Sequence, residues 1–175
     1  MGLAQELDYH HARANVAQQG VRRFAGSRAG AWMFSHTLRH LDAGIARLTH
    51  GQHSAPSLLS GLAVLSLTTT GRRSGVPRAS HLIATPHGED LALIGTNFGQ
   101  GSTPAWVLNL EAHPQATLKY RGRSADVLAR PATAEEADDI FRTASTFYPG
   151  YGSYRSRIAG LRRVRVFVLQ SPAQP

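Results

Sequence analysis

Three arginines stand within seven residues in the segment Thr68–Arg78, which reads TTTGRRSGVPR. The run Leu62–Thr69 is rich in leucine, valine and threonine, and this composition predicts a strand that breaks at Gly71. A tight turn of this kind can present backbone N–H groups, hydroxyls and forked guanidinium groups to one anion. The segment lacks the spacing of a Walker loop, and no helix is predicted after it. Two interpretations stay open at this point: a phosphate-binding turn, or a basic hairpin that faces solvent.

A second segment runs from Ile94 to Asn109 and joins a predicted strand to a predicted helix. Glycines and side-chain amides follow the strand end, and Pro104 favours a helix start because proline suits the first helical turn. A strand end followed by glycines and a helix start is a good place for a flat ring to meet backbone donors. The alternative is an ordinary connecting loop in which Trp106 anchors the core.

Three of the five tyrosines of the chain fall in the segment Tyr148–Tyr154, which reads YPGYGSY. Its glycines and proline predict a loop that follows a helix. Tyrosines on such a loop can stack on a planar substrate and donate hydrogen bonds from their hydroxyls. The alternative is a surface loop whose tyrosines pack back onto the sheet.

The composition narrows the classes of function. The formal net charge is +8, and Lys119 is the only lysine among 19 basic residues. Arginine suits phosphate and carboxylate ligands, although a genomic bias gives the same excess. The absence of cysteine excludes disulfides, thiolate chemistry and thiolate-bound zinc. His36 and His40 lie one helical turn apart without an evident third ligand, so no metal site is predicted. The chain shows neither a long apolar run nor a signal-peptide pattern, and we expect a cytoplasmic protein.

The elements that must position these segments are short strands and a few helices. Apolar residues at steps of three and four predict an amphipathic helix over Trp32–Leu48, and the capping box of Thr133 and Glu136 predicts a helix to about Phe147. About six strands joined mainly by hairpins favour an antiparallel sheet that curls into a small barrel or roll. They are Leu62–Thr69, Ala79–Thr85, Leu91–Thr96, Ala116–Tyr120, Ala125–Ala129 and Val164–Leu169. We expect a helical extension over residues 1–55 and a barrel domain over residues 56–175.

Taken together and in this order, the segments TTTGRRSGVPR, PAWVLNL and YPGYGSY resemble the deazaflavin-dependent nitroreductase family, whose members use reduced coenzyme F-420. The resemblance runs from about Leu62 to Leu169. It implies an α+β fold, a split β-barrel of the flavin-reductase type with an N-terminal helical extension. It also implies hydride transfer from reduced F-420 to a quinone, a nitroaromatic compound or an activated enone.

The resemblance also implies roles for individual residues. Arg73 and Arg78 would hold the cofactor phosphate, and Thr96 and Asn97 would lie beside the deazaflavin ring. The full cofactor-binding set is Thr70, Arg72, Arg73, Ser74, Pro77, Arg78, Thr96, Asn97, Phe98, Trp106 and Asn109. The substrate side, with the candidate catalytic residues, comprises Thr96, Tyr148, Tyr151 and Tyr154.

The chain departs from the family pattern at several positions. Arg73 replaces a common lysine, Phe98 stands where many members have glycine, His81 replaces a frequent proline, and Thr103 stands where histidine is often found. The change at Phe98 would narrow the ring site. These departures leave the phosphate-binding pattern intact, but they put the identity of the substrate in doubt.

Alternatives remain open for cofactor and partner. An FMN-dependent reductase on the same barrel and a non-catalytic deazaflavin carrier both fit the pattern, whereas nucleic acid is not expected as a partner. The expected partner is a small-molecule electron acceptor, and the protein would be a monomer or a homodimer. Because quinones dissolve in lipid, peripheral membrane contact through the helix Trp32–Leu48 is a further hypothesis.

Overall fold

The computed structural model describes residues 2–11, 16–27 and 61–172, and the statements below concern those residues. They form one seven-stranded sheet in the order β2-β1-β5-β6-β7-β4-β3, and every neighbouring pair is antiparallel. The strands are β1 (Val64–Thr70), β2 (Pro77–Ile83), β3 (Thr85–His87), β4 (Asp90–Ile94), β5 (Gln115–Tyr120), β6 (Arg123–Pro131) and β7 (Val166–Gln170). The antiparallel sheet joined by hairpins is thereby confirmed.

The sheet closes on itself at Ala84. Its two edge strands, β2 and β3, follow each other in the chain with only this residue between them, so the sheet must curl until its edges meet. The break at Ala84 also explains why seven strands are present where about six were expected. Pro86 and His87 fall between the expected strands Ala79–Thr85 and Leu91–Thr96, but they belong to β3. The turn to β4 consists of Gly88 and Glu89 alone. The expected split β-barrel is confirmed.

Residues near the N-terminus hold this seam together. The hydroxyl of Tyr9 donates a hydrogen bond to the carbonyl of Ala63 (2.7 Å) and accepts one from the N–H of Ala84 (2.8 Å). His11 bonds the carbonyl of Ala84 through Nε2 (2.9 Å) and stacks on Phe147 at a centroid distance of 3.9 Å. Burial lowers the pKa of His11 to about 4, so the ring is neutral at pH 7.

The described helices are α1 (Leu3–Glu6), α2 (Val16–Gly26), α3 (Ala105–Ala112), α4 (Ala134–Phe147) and α5 (Gly150–Ile158), with a 3-10 turn at Asn97–Gly99. The predicted capping box of α4 is present: Thr133 Oγ1 accepts from the N–H of Glu136, whose carboxylate accepts from the N–H of Thr133. The loop predicted at Tyr148–Tyr154 is wrong, because α5 begins at Gly150. The helix Trp32–Leu48 and the boundary between residues 55 and 56 lie outside the described residues.

Two apolar cores pack against opposite faces of the sheet. Alternate residues of β4 separate them: Leu91 and Leu93 face the first core, and Ala92 and Ile94 face the second. The first core fills the barrel and includes Leu3 and other residues near the N-terminus, namely Leu7 and Tyr9. The first part of the helical extension expected over residues 1–55 therefore contributes to the barrel core. The second core lies under α4 and α5.

Candidate functional site

The arginine turn, residues 71–76, joins β1 to β2 and has a tightly fixed backbone. The N–H of Gly71 donates to the carbonyl of Val76 (3.0 Å), and the N–H of Gly75 donates to the carbonyl of Gly71 (2.8 Å). A Cβ on Gly71 would lie 2.7 Å from Ser74 Oγ, and the φ of Gly75 is +67°, so both glycines are required by the geometry. The turn leaves the side chains of Arg72, Arg73, Ser74, Pro77 and Arg78 exposed.

The arginine turn and helix α3 together form a groove of about 450 Å³, a volume within the range typical of small-molecule sites. This arginine groove joins two segments that are about thirty residues apart in the chain. Its lining residues are Gly71, Arg72, Arg73, Ser74, Arg78, Ala79, Ser80, Ala105, Trp106 and Asn109. Six of the eleven predicted cofactor-binding residues are therefore adjacent. Thr70 and Pro77 lie at the base of the turn, where they face each other across the β1–β2 pair.

Asn109 connects the helix to the turn. Its buried amide donates from Nδ2 to Thr69 Oγ1 (3.0 Å), and its Oδ1 accepts from the backbone N–H of Arg72 (3.0 Å). Each such buried hydrogen bond contributes about 1 kcal/mol, and its loss leaves a buried polar group without a partner. Asn109 therefore holds the backbone of the arginine turn through these two hydrogen bonds. Its expected role in supporting a cofactor pocket stays a prediction.

The chemistry of the arginine groove fits a phosphate group. Three arginines and the Ser74 hydroxyl lie along it, and its described lining includes no carboxylate. Arginine forks bond phosphate oxygens in pairs, and charge-assisted bonds of this type are about twice as strong as neutral ones. The ring of Trp106 also lines the groove and packs edge-to-face on Phe167 at a centroid distance of 6.1 Å. The groove thus has the side chains that a phosphate group requires.

The loop of residues 95–100, which follows β4, has a strained backbone. Asn97 and Phe98 have φ values of +49° and +54°. Asparagine tolerates this left-handed conformation, whereas it costs about 1–2 kcal/mol for phenylalanine. The Asn97 amide donates within its own loop, to Ser102 Oγ (2.9 Å) and the Ser102 carbonyl (3.1 Å). The neighbouring Thr96 is buried, and Phe98 is 38% exposed. None of the three lines the arginine groove, and their expected position beside the ring remains a prediction.

Arg162, which precedes β7, holds this loop and was missed as a site residue. Its Nη2 donates to the carbonyls of Gly95 and Thr96 (3.0 Å each), and its Nε donates to the carbonyl of Gln100 (3.3 Å). In the sequence it appears only as one member of the basic cluster Arg162, Arg163 and Arg165, which suggests surface charge. No local sequence pattern indicates these hydrogen bonds, because they join residues more than sixty positions apart in the chain.

The tyrosine cluster, Tyr148, Tyr151 and Tyr154, is buried on the outer face of the sheet. The hydroxyls of Tyr148 and Tyr154 are hydrogen-bonded to each other (2.7 Å), and that of Tyr151 points to the carbonyl of Ile83 (3.5 Å). Burial raises the pKa of all three hydroxyls above the usual value of 10.0, so they remain protonated hydrogen-bond donors. The tyrosines thus pack back onto the barrel, as in the alternative interpretation of this segment.

The tyrosine cluster contacts the strained loop and lies at the far end of β2 from the arginine turn. The ring of Phe98 is edge-on to that of Tyr154 at a centroid distance of 6.4 Å. Tyr151 meets Ile83, which is five residues beyond Arg78 on β2. Five residues of strand span about 17 Å. The predicted phosphate and substrate residues are therefore about that far apart along β2.

Comparison with known proteins identifies the family of the chain. A family model described as F-420H(2)-dependent quinone reductase matches residues 41–171, which is well over half of the chain. An F-420H(2)-dependent quinone reductase of Mycobacterium tuberculosis is 27% identical over 112 residues, which are 61% of this chain and 73% of that protein.

Solved structures show the same similarity. The F-420-H2 dependent reductase FDR-A is 26% identical with a TM-score of 0.56, over 62% of this chain and 94% of that one. A structure described as a domain-swapped dimer is 26% identical with a TM-score of 0.58, over 79% and 97% of the two chains. From the family match and the fold, the chain belongs to the F-420H(2)-dependent quinone reductases, a family of split-barrel enzymes.

Proposed function

We propose that this protein binds reduced coenzyme F-420 with its phosphate in the arginine groove and transfers a hydride to a quinone. The observation that carries the proposal is the groove itself, which three arginines and Trp106 line and in which Asn109 bonds the turn. The resemblance and the family match supply the identity of the cofactor. FMN also carries a phosphate, so the groove alone does not separate the two cofactors, whereas the names of the relatives favour F-420.

The bound deazaflavin supplies the hydride, because it has a carbon where a flavin has its central redox nitrogen. The contribution of the chain is to bind and orient. Arg73 and Arg78 hold the phosphate through charge-assisted hydrogen bonds. Trp106 lines the same groove, and the amide of Asn109 bonds the backbone of the turn.

At the acceptor end, we propose that Thr96 or a tyrosine of the cluster donates a hydrogen bond to a carbonyl oxygen of the quinone. Donation by Tyr148 or Tyr154 requires that their mutual hydrogen bond opens toward the bound quinone. Negative charge develops on that oxygen as the ring is reduced, and a donor aimed at it lowers the barrier. The raised pKa of Tyr148 and of Tyr154 keeps both hydroxyls protonated at neutral pH. Nitroaromatic compounds and activated enones offer similar acceptor oxygens, and we include them as candidate substrates.

An acceptor panel tests the hydride-transfer step. Reduced F-420 is mixed with the protein and with a soluble quinone, a nitroaromatic compound or an activated enone, and cofactor oxidation is followed by absorbance. We expect oxidation with the quinone, at a rate that falls at least tenfold in Tyr154→Phe. The control is Arg142→Gln, a substitution at an exposed residue, which should oxidise the cofactor at the rate of the wild type. Cofactor binding without oxidation by any acceptor would instead identify a deazaflavin carrier.

The assembly is proposed to be a homodimer, because one structural relative is described as a domain-swapped dimer. The measurement is the molar mass in solution by light scattering. Within the part of the chain that the structure describes, no helix has the length and apolar run needed to cross a bilayer. Peripheral contact through Trp32–Leu48 falls outside those residues and stays a prediction.

A further inference from the structure

Arg162 makes three hydrogen bonds to one short loop, and their placement is unusual. Two of the accepting carbonyls, those of Gly95 and Thr96, come immediately before the strained pair Asn97 and Phe98. The third, that of Gln100, comes after it. The Arg162 guanidinium therefore donates hydrogen bonds to the backbone both before and after the two residues with positive φ.

Two consecutive non-glycine residues at positive φ persist only where the surrounding structure holds them. A planar guanidinium can donate from two nitrogens in fixed directions, which the single ammonium of lysine cannot do. The third nitrogen of Arg162, Nη1, is buried without a hydrogen-bond partner among the described residues. The side chain thus keeps this position although one of its donors is left unsatisfied, which indicates that the loop contacts fix it there.

The loop so held carries two side chains of the acceptor end. The carbonyl of Thr96 accepts from Arg162 and from the N–H of Gly99 (3.0 Å), and the N–H of Thr96 donates to the carbonyl of Ile94 (2.9 Å). With both sides of its backbone bonded, Thr96 has one orientation. Phe98, two residues on, is set edge-on to Tyr154.

We propose that Arg162 is a positioning residue for the electron acceptor: it fixes the backbone of residues 95–100 so that Thr96 and Phe98 face the acceptor in one geometry. This inference rests on the proposed function. The inference is that Arg162 affects the reaction with the electron acceptor. Arg162 is not expected to affect binding of the cofactor phosphate, because it does not line the arginine groove.

The chain offers a matched control. Arg163 is adjacent and exposed, and its replacement removes the same charge from the same segment. Arg162 also lines a surface cavity of about 670 Å³, through which a small cation can reach its position from solvent. The variants are Arg162→Gln, Arg162→Lys, Arg162→Ala and Arg163→Gln.

The kinetic test measures kcat and KM for a soluble quinone and the Kd of F-420 for each variant. We expect Arg162→Gln and Arg162→Lys to lower kcat/KM for the quinone at least tenfold. The Kd of F-420 should rise by a smaller factor, because the loop is expected beside the deazaflavin ring whereas the arginine groove is unchanged. Arg163→Gln should match the wild type. Addition of guanidinium should restore part of the activity of Arg162→Ala, and sodium chloride at the same concentration should not.

Hydrogen exchange tests the same inference without cofactor or turnover. Amides of residues 95–102 should exchange at least tenfold faster in Arg162→Gln, whereas those of β5 and β6 should not change. Equal exchange in the loop, or a kcat/KM for the quinone equal to that of the wild type, would overturn the inference. So would a variant whose only defect is a smaller folded fraction, with unchanged KM. A wild type that neither binds nor oxidises reduced F-420 refutes the proposed function first, and the role of Arg162 toward the acceptor with it.

Discussion

At the scale of single residues, the arginine groove depends on one buried amide. Asn109 bonds the Thr69 hydroxyl at the end of β1 and the Arg72 N–H in the turn, so helix and turn share one polar contact. The sequence indicates Asn109 only through the resemblance, because a single asparagine on a helix has no local signal. The arginines, in contrast, are evident from composition and spacing alone, since the turn that carries them is formed by neighbours in the chain.

A double-mutant cycle tests this contact. Asn109→Ala leaves the Thr69 hydroxyl and the Arg72 N–H without their partner, and we expect the free energy of unfolding to fall by about 1–3 kcal/mol. Thr69→Val removes the hydroxyl that accepts the hydrogen bond from the Asn109 amide. Chemical denaturation of the wild type, both single variants and the double variant should give a coupling free energy of about 1 kcal/mol. Purely additive effects would show that the two side chains do not interact.

At the scale of elements, α5 shows where sequence patterns conflict. Pro149, Gly150 and Gly152 predict a turn, and the loop expected there was wrong. Tyr151, Tyr154 and Ile158, however, recur at steps of three and four and form one buried helical face. Burial of that face against the sheet outweighs the low helix propensity of the glycines, because tertiary packing supplies most of the stability of a short helix.

The strained loop is the other element that sequence reasoning could not specify. Gly95, Gly99 and Gly101 indicate a loop, but they do not indicate which residues take positive φ. The backbone of the loop is hydrogen-bonded by Arg162, which lies more than sixty residues away in the chain. The strands of the barrel were predictable because alternation is local, whereas contacts of this kind are set only by the finished fold.

Two variants at Phe98 isolate the strain. Phe98→Gly and Phe98→Ala both remove the ring contact with Tyr154, but only glycine takes a φ near +54° without steric cost. We expect the glycine variant to be more stable than the alanine variant by about 1 kcal/mol. Thermal unfolding of the pair measures the difference. An alanine variant as stable as the glycine variant would show that the backbone at Phe98 is not strained in solution.

At the scale of the whole molecule, all five tyrosines have a pKa raised above 10.0, mainly by burial. In the folded protein they stay protonated at pH values where unfolded tyrosine ionises. Because the unfolded state loses these protons first, folding stability is complete below pH 10 and falls as the pH rises through that value. The burial that makes the tyrosine cluster a set of hydrogen-bond donors therefore weakens the protein at high pH.

An alkaline titration measures this effect. We expect little tyrosinate absorbance from the folded protein near pH 10, followed by a cooperative rise when the protein unfolds at higher pH. Each protonated tyrosine lowers the free energy of unfolding by up to about 1.4 kcal/mol per pH unit above 10. A gradual rise centred on pH 10 with the fold intact would show that the tyrosines are open to water.

Part of the net charge of +8 is concentrated at one place. Three of the arginines line the arginine groove, and none of the described residues that line it is acidic. The excess of positive charge there favours an anionic ligand.

The most direct test of the proposed cofactor is a spectral titration of the protein with F-420, FMN and FAD at low salt. We predict tightest binding of F-420. Arg78→Ala should raise its Kd roughly tenfold to a hundredfold, as loss of a charge-assisted bond of about 1.5–3 kcal/mol implies. Arg121→Asn, which removes the same charge from the β5–β6 turn, should leave the Kd unchanged. A wild type without affinity for F-420, or an Arg78→Ala variant with the affinity of the wild type, would contradict the account.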